Sequence, residues 1–483
     1  MNKKFYITAA IDYVNGAPHI GHAMEKIQAD VLARYHRAIG DDVFFLMGTD
    51  DNSLKNVQTA EEKCIPIKKL VDQNAKLFFD LQKSLDLSNN CFIRTVEKRH
   101  FNATQKIWEA CKKDIYKKKY EGLYCVGCEE FKKERDLIEG KCPEHPNRLL
   151  EKVEEENYFF RLSAYQKKIE EIIEKDIYKI TPLSRKNEAL SFIRRGLEDF
   201  SISRTKERAR GWGIPVPGDD SQIIYVWFDA LINYLSALDY SGDQKLFKKY
   251  WPADVHVVGK GIMKFHAIYW PAILLSAGIK LPKKLYVHGY VTVDGQKIGK
   301  SLGNAIDPQE LVKEYGSSSL RYFLLREIPY GKDGDFSIDK FEDRFNADLA
   351  NDLGNLVQRT ISMINKYDIK VIRNEKPLFD KKDNQMILSD KEAIDRDIEN
   401  LNFKEALDFL WDLISFLNKE IDKRKPWELV KTDKNQLNEF LNGVYVLLFD
   451  ISEILEPFMP KTSEDMKSQL KTLKPQPLFP KIE

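Results

Sequence analysis

The sequence predicts an α/β fold built on a parallel sheet, interrupted by a cysteine-bearing insertion and followed by an all-α region. Three observations carry this prediction. Apolar strand-like runs alternate with amphipathic helical stretches up to about residue 115 and again from about 222. A lysine- and glutamate-rich segment with clustered cysteines separates these blocks, and from about 346 the pattern is almost wholly helical. At 483 residues the chain is too long for one core and implies roughly three domains.

The first element is Phe5 to Ile11 (FYITAAI), a β-branched and aromatic run that reads as a buried strand. The helix expected from Gly21 to Ile39 follows, with Ile20, Met24, Ile27 and Val31 at helical spacing. Between them stands APHIGHA, which places His19 and His22 on the turn from strand to helix. Backbone N–H groups at such a turn lack intrahelical partners, and the helix dipole favours anions there. Imidazoles added at that point can donate to phosphate oxygens as charge develops. Taken alone, the seven residues equally describe an ordinary turn.

DDVFFLMGTD (residues 41–50) is the next strand. The insertion carries Cys125, Cys128, Cys142 and His145 in a C-x2-C-x13-C-x2-H pattern. Two paired-ligand knuckles place four soft ligands at the corners of a tetrahedron, which suits Zn2+. Four protein ligands leave no open position, so the site is structural. Cys64, Cys91 and Cys111 stand apart and read as plain core residues. RGWGIPVPGDD (210–220) is rich in Gly and Pro and closes the insertion, after which QIIYVWFDALINYL, DVHVVGKGIMKFHAIYWPAILLSAG and KLYVHGYVTVDG resume the alternation. DGQKIGKSLGN (294–304) then presents Lys297 and Lys300 around a glycine, a clamp suited to polyphosphate. ADLANDLGNLVQRTISMINKY and FKEALDFLWDLISFLNKEIDK exemplify the helical region, and TLKPQPLFPKIE is a docked or loose tail.

Composition narrows the classes. Hydrophobic content of 43% and charged content of 31% describe a globular chain, and no apolar run reaches the ~18 residues of a membrane span. Net charge is +1, so any nucleic-acid surface is local. The N-terminal run meets Asp12 too early for a signal peptide, and six cysteines without a secretory leader argue against a disulfide framework; the cytoplasm is the expected location.

Together the histidine turn, written His19-Ile20-Gly21-His22, and the lysine loop resemble the HIGH and KMSKS signatures of the class I aminoacyl-tRNA synthetases, and within that class the methionyl branch. The matching stretches run along nearly the whole chain: TAAIDYVNGAPHIGHA, the single cysteine knuckle, WGIPVP, YVWFDALINYL, KFHAIYWPA, the lysine loop, and RYFLLREIPYGKDGDFS leading into NADLANDLGNLVQR. The resemblance implies a Rossmann-type catalytic domain with a zinc-binding insertion, followed by a helical-bundle anticodon-binding domain. The implied boundaries are 1–115 (first half, with HIGH), 116–221 (insertion), 222–290 (second half), 291–345 (KMSKS-like loop and linking segment) and 346–483 (anticodon domain and tail).

It also implies roles. His19 and His22 would hold ATP phosphates and stabilise the transition state; Lys297 and Lys300 would neutralise departing pyrophosphate, with Gly21 and Ser301 also at the nucleotide, and Mg2+ accompanying ATP. The amino-acid pocket maps onto Ile11, Tyr13, Asp50, Trp227, Ala230, Leu231, Tyr234, Phe265 and His266. Asp50 would hold the substrate's α-ammonium, the aromatics would enclose a thioether, and Tyr234 and His266 would place polar tips near sulfur. Asn355, Arg359 and Trp427 match anticodon contacts, Trp427 by stacking on a base. The implied partners are tRNA(Met), ATP and L-methionine. A monomer is expected, since nothing after the helical region resembles an oligonucleotide-binding dimerisation domain.

Three positions depart from the family pattern: Asp51-Asn52-Ser53, Gly261, and Ile298-Gly299. They keep open a tRNA-binding paralogue without catalysis. A class I synthetase for another apolar amino acid is the other alternative, although the insertion lacks room for an editing domain beside its cysteine knuckle.

Overall fold

In a computed structural model of the chain, which describes residues 2–298, 303–373 and 379–482, the polypeptide forms two compact units. One comprises Met1–Pro18, Gly40–Gln82 and Ser88–His288; the other comprises His19–Ile39, Lys83–Leu87 and Gly289–Glu483. The helix Ile20–Ala38 therefore groups with the C-terminal region, although it follows the first strand directly in sequence.

The strands of the first unit run in chain order as β1 (Lys4–Ala9), β2 (Asp12–Tyr13), β3 (Asp42–Asp50), β4 (Cys91–Arg94), β5 (Ile115–Cys125), β6 (Glu130–Lys132), β7 (Glu151–Phe160), β8 (Lys179–Thr181), β9 (Phe200–Ser201), β10 (Ser203–Thr205), β11 (Pro215–Val216), β12 (Asp219–Ile224), β13 (Val255–Gly259) and β14 (Lys284–His288). Seven of them form one sheet in which β3 carries β1, β2 and β4, and β1 continues through β13 and β14 to β8, with every pairing parallel. Phe5 to Ala9 and Val43 to Asp50 are buried without alternation, as a sheet covered on both faces demands. Strand order reverses between β1 and β13, so the carboxyl ends of β1, β3 and β13 open on the crevice where parallel α/β sheets bind ligands.

Within 116–221, β5 pairs antiparallel with β6 and β7, and β9 adds antiparallel to β7, whereas β8 joins the main parallel sheet beside β14. The run QII, read as the return of the parallel sheet, lies instead in β12, which pairs antiparallel with β10 and β11. Its apolar pattern was legible but its partner was not, because pairing is decided by tertiary packing. Cys64, expected in the core, is exposed, whereas Cys111 is buried and Cys91 lies between. Cys64 sits at positive φ just past the helix Leu54–Glu62, on the turn that ends it.

In the second unit, Val291–Val293 pairs with the short strands Gln296–Lys297 and Gly334–Phe336. The helices Asn355–Tyr367, Lys381–Glu399, Phe403–Arg424, Lys434–Ile454 and Pro460–Thr472 make up the helical region. On the helix Ser317–Glu327, Arg321 is fully buried; its guanidinium meets Asp30 Oδ2 at 2.8 Å and donates to the carbonyls of Leu85, Pro457 and Phe458 at 3.0, 2.8 and 2.7 Å. The tail is docked: Asn346 exchanges two hydrogen bonds with the backbone of Ile482, and Phe479 packs edge-on against Phe345. No helix among the described residues is long and apolar enough to cross a membrane.

Candidate active site and metal centre

The chain leaves β1 and β2 through Asn15–Pro18 and enters the helix Ile20–Ala38 at His19. His19 is the N-cap: its Nδ1 accepts from Gly21 N–H at 3.1 Å, while His22 Nδ1 accepts from His19 N–H at 3.0 Å. The rings stack with centroids 3.8 Å apart. Because each Nδ1 accepts, each neutral ring carries its proton on Nε2. The capping box thus fixes the tautomer, with the donor N–H on Nε2. The first helical N–H, of Ile20, is satisfied by Ile306 O at 3.1 Å, and a Cβ on Gly21 would lie 4.0 Å from Ile298 Cδ1.

Lys297 ends the strand Gln296–Lys297, with its Nζ 5.0 Å from the Tyr290 ring centroid and its carbonyl accepting from Asn304 Nδ2 at 3.2 Å. Asp335 pins this hairpin, accepting from Thr292 Oγ1 at 2.6 Å and Gly295 N–H at 2.7 Å. Gly299, Lys300 and Ser301 lie outside the described residues.

In the first unit, Asp50 ends β3 and is 2% exposed. Burial, then the neighbouring charges of Asp229, Asp51 and Glu129, hold its carboxyl well above the usual carboxylate range. The neighbours are already committed. Asp229 is bonded to His100 at 2.6 Å and Asn52 at 2.8 Å, and Asp51 is paired with Arg94 at 2.6 Å. Among the described residues Asp50 has no ion pair and accepts one long bond from Asn52 N–H, at 3.3 Å. A carboxyl group in this condition is favoured in its neutral form until a cation is brought beside it.

The three residues after Asp50, of which Asn52 and Ser53 depart from the family pattern, each have a definite place. Asp51 N–H donates to Thr95 Oγ1, Asn52 bridges Thr95 O to Asp229, and Ser53 caps the helix Leu54–Glu62. Gly261 lies exposed on the short turn Lys260–Ile262.

Around the crevice stand the aromatic residues. Trp227 and Phe265 stack almost flat, centroids 3.6 Å apart and planes 8° apart, and Tyr13 meets Trp227 edge-on at 6.1 Å. Ala230 and Leu231 are buried on the helix Val226–Leu231, and Ile11 packs against the same core. His266 Nδ1 is 2.9 Å from Ile262 O and so donates to it, which leaves Nε2 to accept from Tyr234 Oη at 2.7 Å. The two polar tips expected near sulfur are thus bonded to each other. Beneath them His256, on β13, is bonded to Thr8 Oγ1 at 2.7 Å and receives Trp270 Nε1–H at 3.3 Å, and burial keeps it neutral. His100 and His256 carry no sequence signal: each is a lone histidine whose partners are remote in the chain.

The cysteine cluster fits a tetrahedral cation. Cys128 Sγ lies 3.4 Å from Cys142 Sγ and 3.4 Å from His145 Nδ1, and Cys125 Sγ lies 3.9 Å from that Nδ1, with all four ligand atoms within 4.8 Å of one another. Zinc–ligand bonds of about 2.0–2.3 Å in a tetrahedron separate their ligands by roughly 3.5–3.8 Å. Gly127 makes the cradle possible, since a Cβ there would fall 2.4 Å from the His145 ring. The hydrogen bond between Cys125 and Cys128 lowers the first thiol and raises the second, so without a cation the two share a proton.

In the helical region Asn355 opens Asn355–Tyr367 on an exposed face. One turn on, Arg359 pairs with Asp422 at 2.6 Å and lies 5.6 Å from the centroid of the Trp427 ring. Trp427 follows Pro426 in the first turn of Pro426–Thr432 and is 41% exposed.

The profile of the tRNA synthetases class I (M) matches residues 5–150 and 147–361. The methionine–tRNA ligase of Caldanaerobacter subterraneus subsp. tengcongensis is 45% identical over 480 residues, covering 97% of this chain and 74% of its own. That of Brucella suis is 43% identical, covering 96% and 91%. Mycobacterium tuberculosis methionyl-tRNA synthetase in complex with methionyl-adenylate superposes with a TM-score of 0.90 at 36% identity, covering 100% of this chain and 99% of that one. Sequence and fold agree along the whole length: the chain belongs to the methionyl branch of the class I tRNA synthetases.

Proposed function

We propose that this chain is a methionine–tRNA ligase that activates L-methionine with ATP to methionyl-adenylate and transfers the methionyl group to tRNA(Met). The observation that carries the reading is Asp50, a buried carboxyl group with no ion pair among the described residues at the carboxyl end of β3, next to Tyr13, which in turn meets the stacked Trp227–Phe265 wall. An amino acid brings both missing parts, an ammonium for Asp50 and an apolar side chain to pack against the wall.

In the first step the methionine carboxylate attacks the α-phosphate and pyrophosphate leaves, with positioning and charge stabilisation supplying the catalysis. His19 and His22 donate from Nε2 to the phosphate oxygens. Lys297 and Lys300 meet the charge that grows on the leaving group. Mg2+ would screen the phosphate charges of the ATP that carries it. Zn2+ held by Cys125, Cys128, Cys142 and His145 would clip the insertion and take no part in the chemistry, since four protein ligands close its coordination. Asn355, Arg359 and Trp427 supply the anticodon surface. The enzyme acts as a monomer in the cytoplasm, the compartment of its tRNA.

Neither alternative is favoured: relatives matched across nearly the whole chain are methionine–tRNA ligases. The test is exchange of labelled pyrophosphate into ATP without tRNA, with methionine, leucine, isoleucine and valine in parallel. Exchange with methionine alone is expected. Exchange preferring another amino acid, or none from folded, zinc-loaded protein, overturns the reading.

A further inference from the structure

The segment that leaves the metal knuckle, Cys128-Glu129-Glu130, closes a ring of contacts with the aromatic wall. Trp227 Nε1–H donates to Cys128 O at 3.3 Å. Trp227 stacks on Phe265 at 3.6 Å. The ammonium of Lys264, the residue before Phe265, lies 5.2 Å from the Phe265 ring centroid, with Phe192 and Tyr269 at 5.4 and 5.6 Å. That ammonium is paired with the carboxylate of Glu130, which also takes Lys132 at 2.8 Å. Two residues along the chain from Glu130 stands Cys128 again. Between them Glu129 is fully buried at positive φ, its carboxylate fixed by Lys55 N–H, Tyr124 Oη and Arg204. The knuckle side of the ring therefore has no freedom to drift.

Lys264 and Glu130 are not fully enclosed. Their side chains are 23% and 20% exposed, and they line a cavity of about 1040 Å³ that Trp227 and Phe265 also border. The wall thus has empty space against it. Two stacked rings with room to move need an external anchor, because stacking alone is worth only about 0.5–1.5 kcal/mol beyond burial.

We propose that the Glu130–Lys264 ion pair is the positioning element of the side-chain pocket, holding Phe265, and through it Trp227, so that the aromatic wall they form leaves no room for side chains longer than methionine. This rests on the function proposed above. Neither residue touches substrate; both act through the wall.

The test uses three variants of the zinc-loaded enzyme. Lys264→Met keeps the stem's volume and leaves Glu130 paired with Lys132, so folding is preserved. Lys264→Arg keeps the charge. Glu130→Gln removes the partner. In pyrophosphate exchange, Lys264→Met should raise KM for methionine about tenfold with little change in kcat. It should also reduce discrimination against ethionine, one methylene longer, by about fivefold, within the ~10–200-fold that a methylene commands. Lys264→Arg should restore both, and Glu130→Gln in the Lys264→Met background should add little. The near-ultraviolet circular dichroism assigned to Trp227, by difference from Trp227→Phe, should change in Lys264→Met at unchanged zinc content and Tm. Unchanged KM, discrimination and aromatic signal in Lys264→Met would overturn the proposal. Absence of methionine-dependent exchange in the unmodified enzyme would instead overturn the functional reading, and the aromatic signal would then decide the positioning role alone.

Discussion

His22 Nδ1 accepts from His19 N–H and His19 Nδ1 accepts from Gly21 N–H, so the two imidazoles cap one helix end together, with their rings stacked at 3.8 Å. Under the proposed function, structural and chemical duties therefore fall on different nitrogens of the same rings. His19→Asn should separate them, since asparagine is among the best N-caps but offers nothing equivalent to Nε2–H at the phosphate. Thermal melts should show Tm close to that of the unmodified protein, while exchange falls by about 10²–10³, the scale of one lost oxyanion donor. His19→Ala should lose the same activity and about 1 kcal/mol of stability as well.

Asp50 sets a pH dependence whose sign is fixed by its surroundings. Its pKa in the folded, ligand-free protein is raised, and under the proposed function the methionine ammonium pairs with the ionised form. Affinity should therefore be full above that raised pKa and be lost as pH falls through it, beginning above the ordinary carboxylate value near 4. Calorimetric titration of methionine across pH would show the window. Asp50→Asn should abolish the dependence and cost about 10²-fold or more in methionine activation. A raised carboxyl pKa costs the ligand-free fold stability as pH climbs from the ordinary carboxylate value towards the raised one, so the same variant should melt a few degrees higher at neutral pH.

Elemental analysis should find one zinc per chain. Cys142→Ala should lose it, since three ligands remain where four converge, and the variant should melt at lower temperature because binding free energy at such a site is folding free energy. Metal retained at full stoichiometry in Cys142→Ala would remove this residue from the ligand set.

Trp427, 41% exposed with the Arg359 guanidinium 5.6 Å from its ring centroid, offers a face for a stacked base. Trp427→Ala should raise KM for tRNA by about 10–100-fold, as a stack worth about 1–3 kcal/mol requires, with the loss falling on the tRNA-dependent reaction. A phenylalanine in its place should recover most of it. No change in tRNA affinity would mean that this ring is only a helix-opening contact.

What was legible in the sequence was whatever local spacing encodes. The apolar run at Phe5, the cap at His19 and the paired knuckles at Cys125 and Cys142 each declare themselves within a few residues, because turn, cap and ligand geometry are short-range. What was not legible depends on partners far along the chain. β12 reads as a strand but not as a member of an antiparallel sheet, and Cys64 reads as apolar although its turn leaves it exposed. Tyr234 and His266 read as two polar tips, yet only the fold directs them at each other. Glu129, Glu130 and Lys264 look like any solvated charges in a lysine- and glutamate-rich stretch until packing brings them together.

The guanidinium of Arg321 joins Asp30, in the helix that His19 begins, to the carbonyls of Pro457 and Phe458 near the far end of the chain. A boundary drawn at residue 346 is therefore a boundary of sequence pattern and not a place to cut. A fragment ending there would keep the arginine while losing two of its acceptors, and would open its seat to water. Anyone seeking a minimal catalytic piece of this protein would do better to retain Leu455 to Pro460, or to replace Arg321 and Asp30 together with an apolar pair, than to stop where the helices begin.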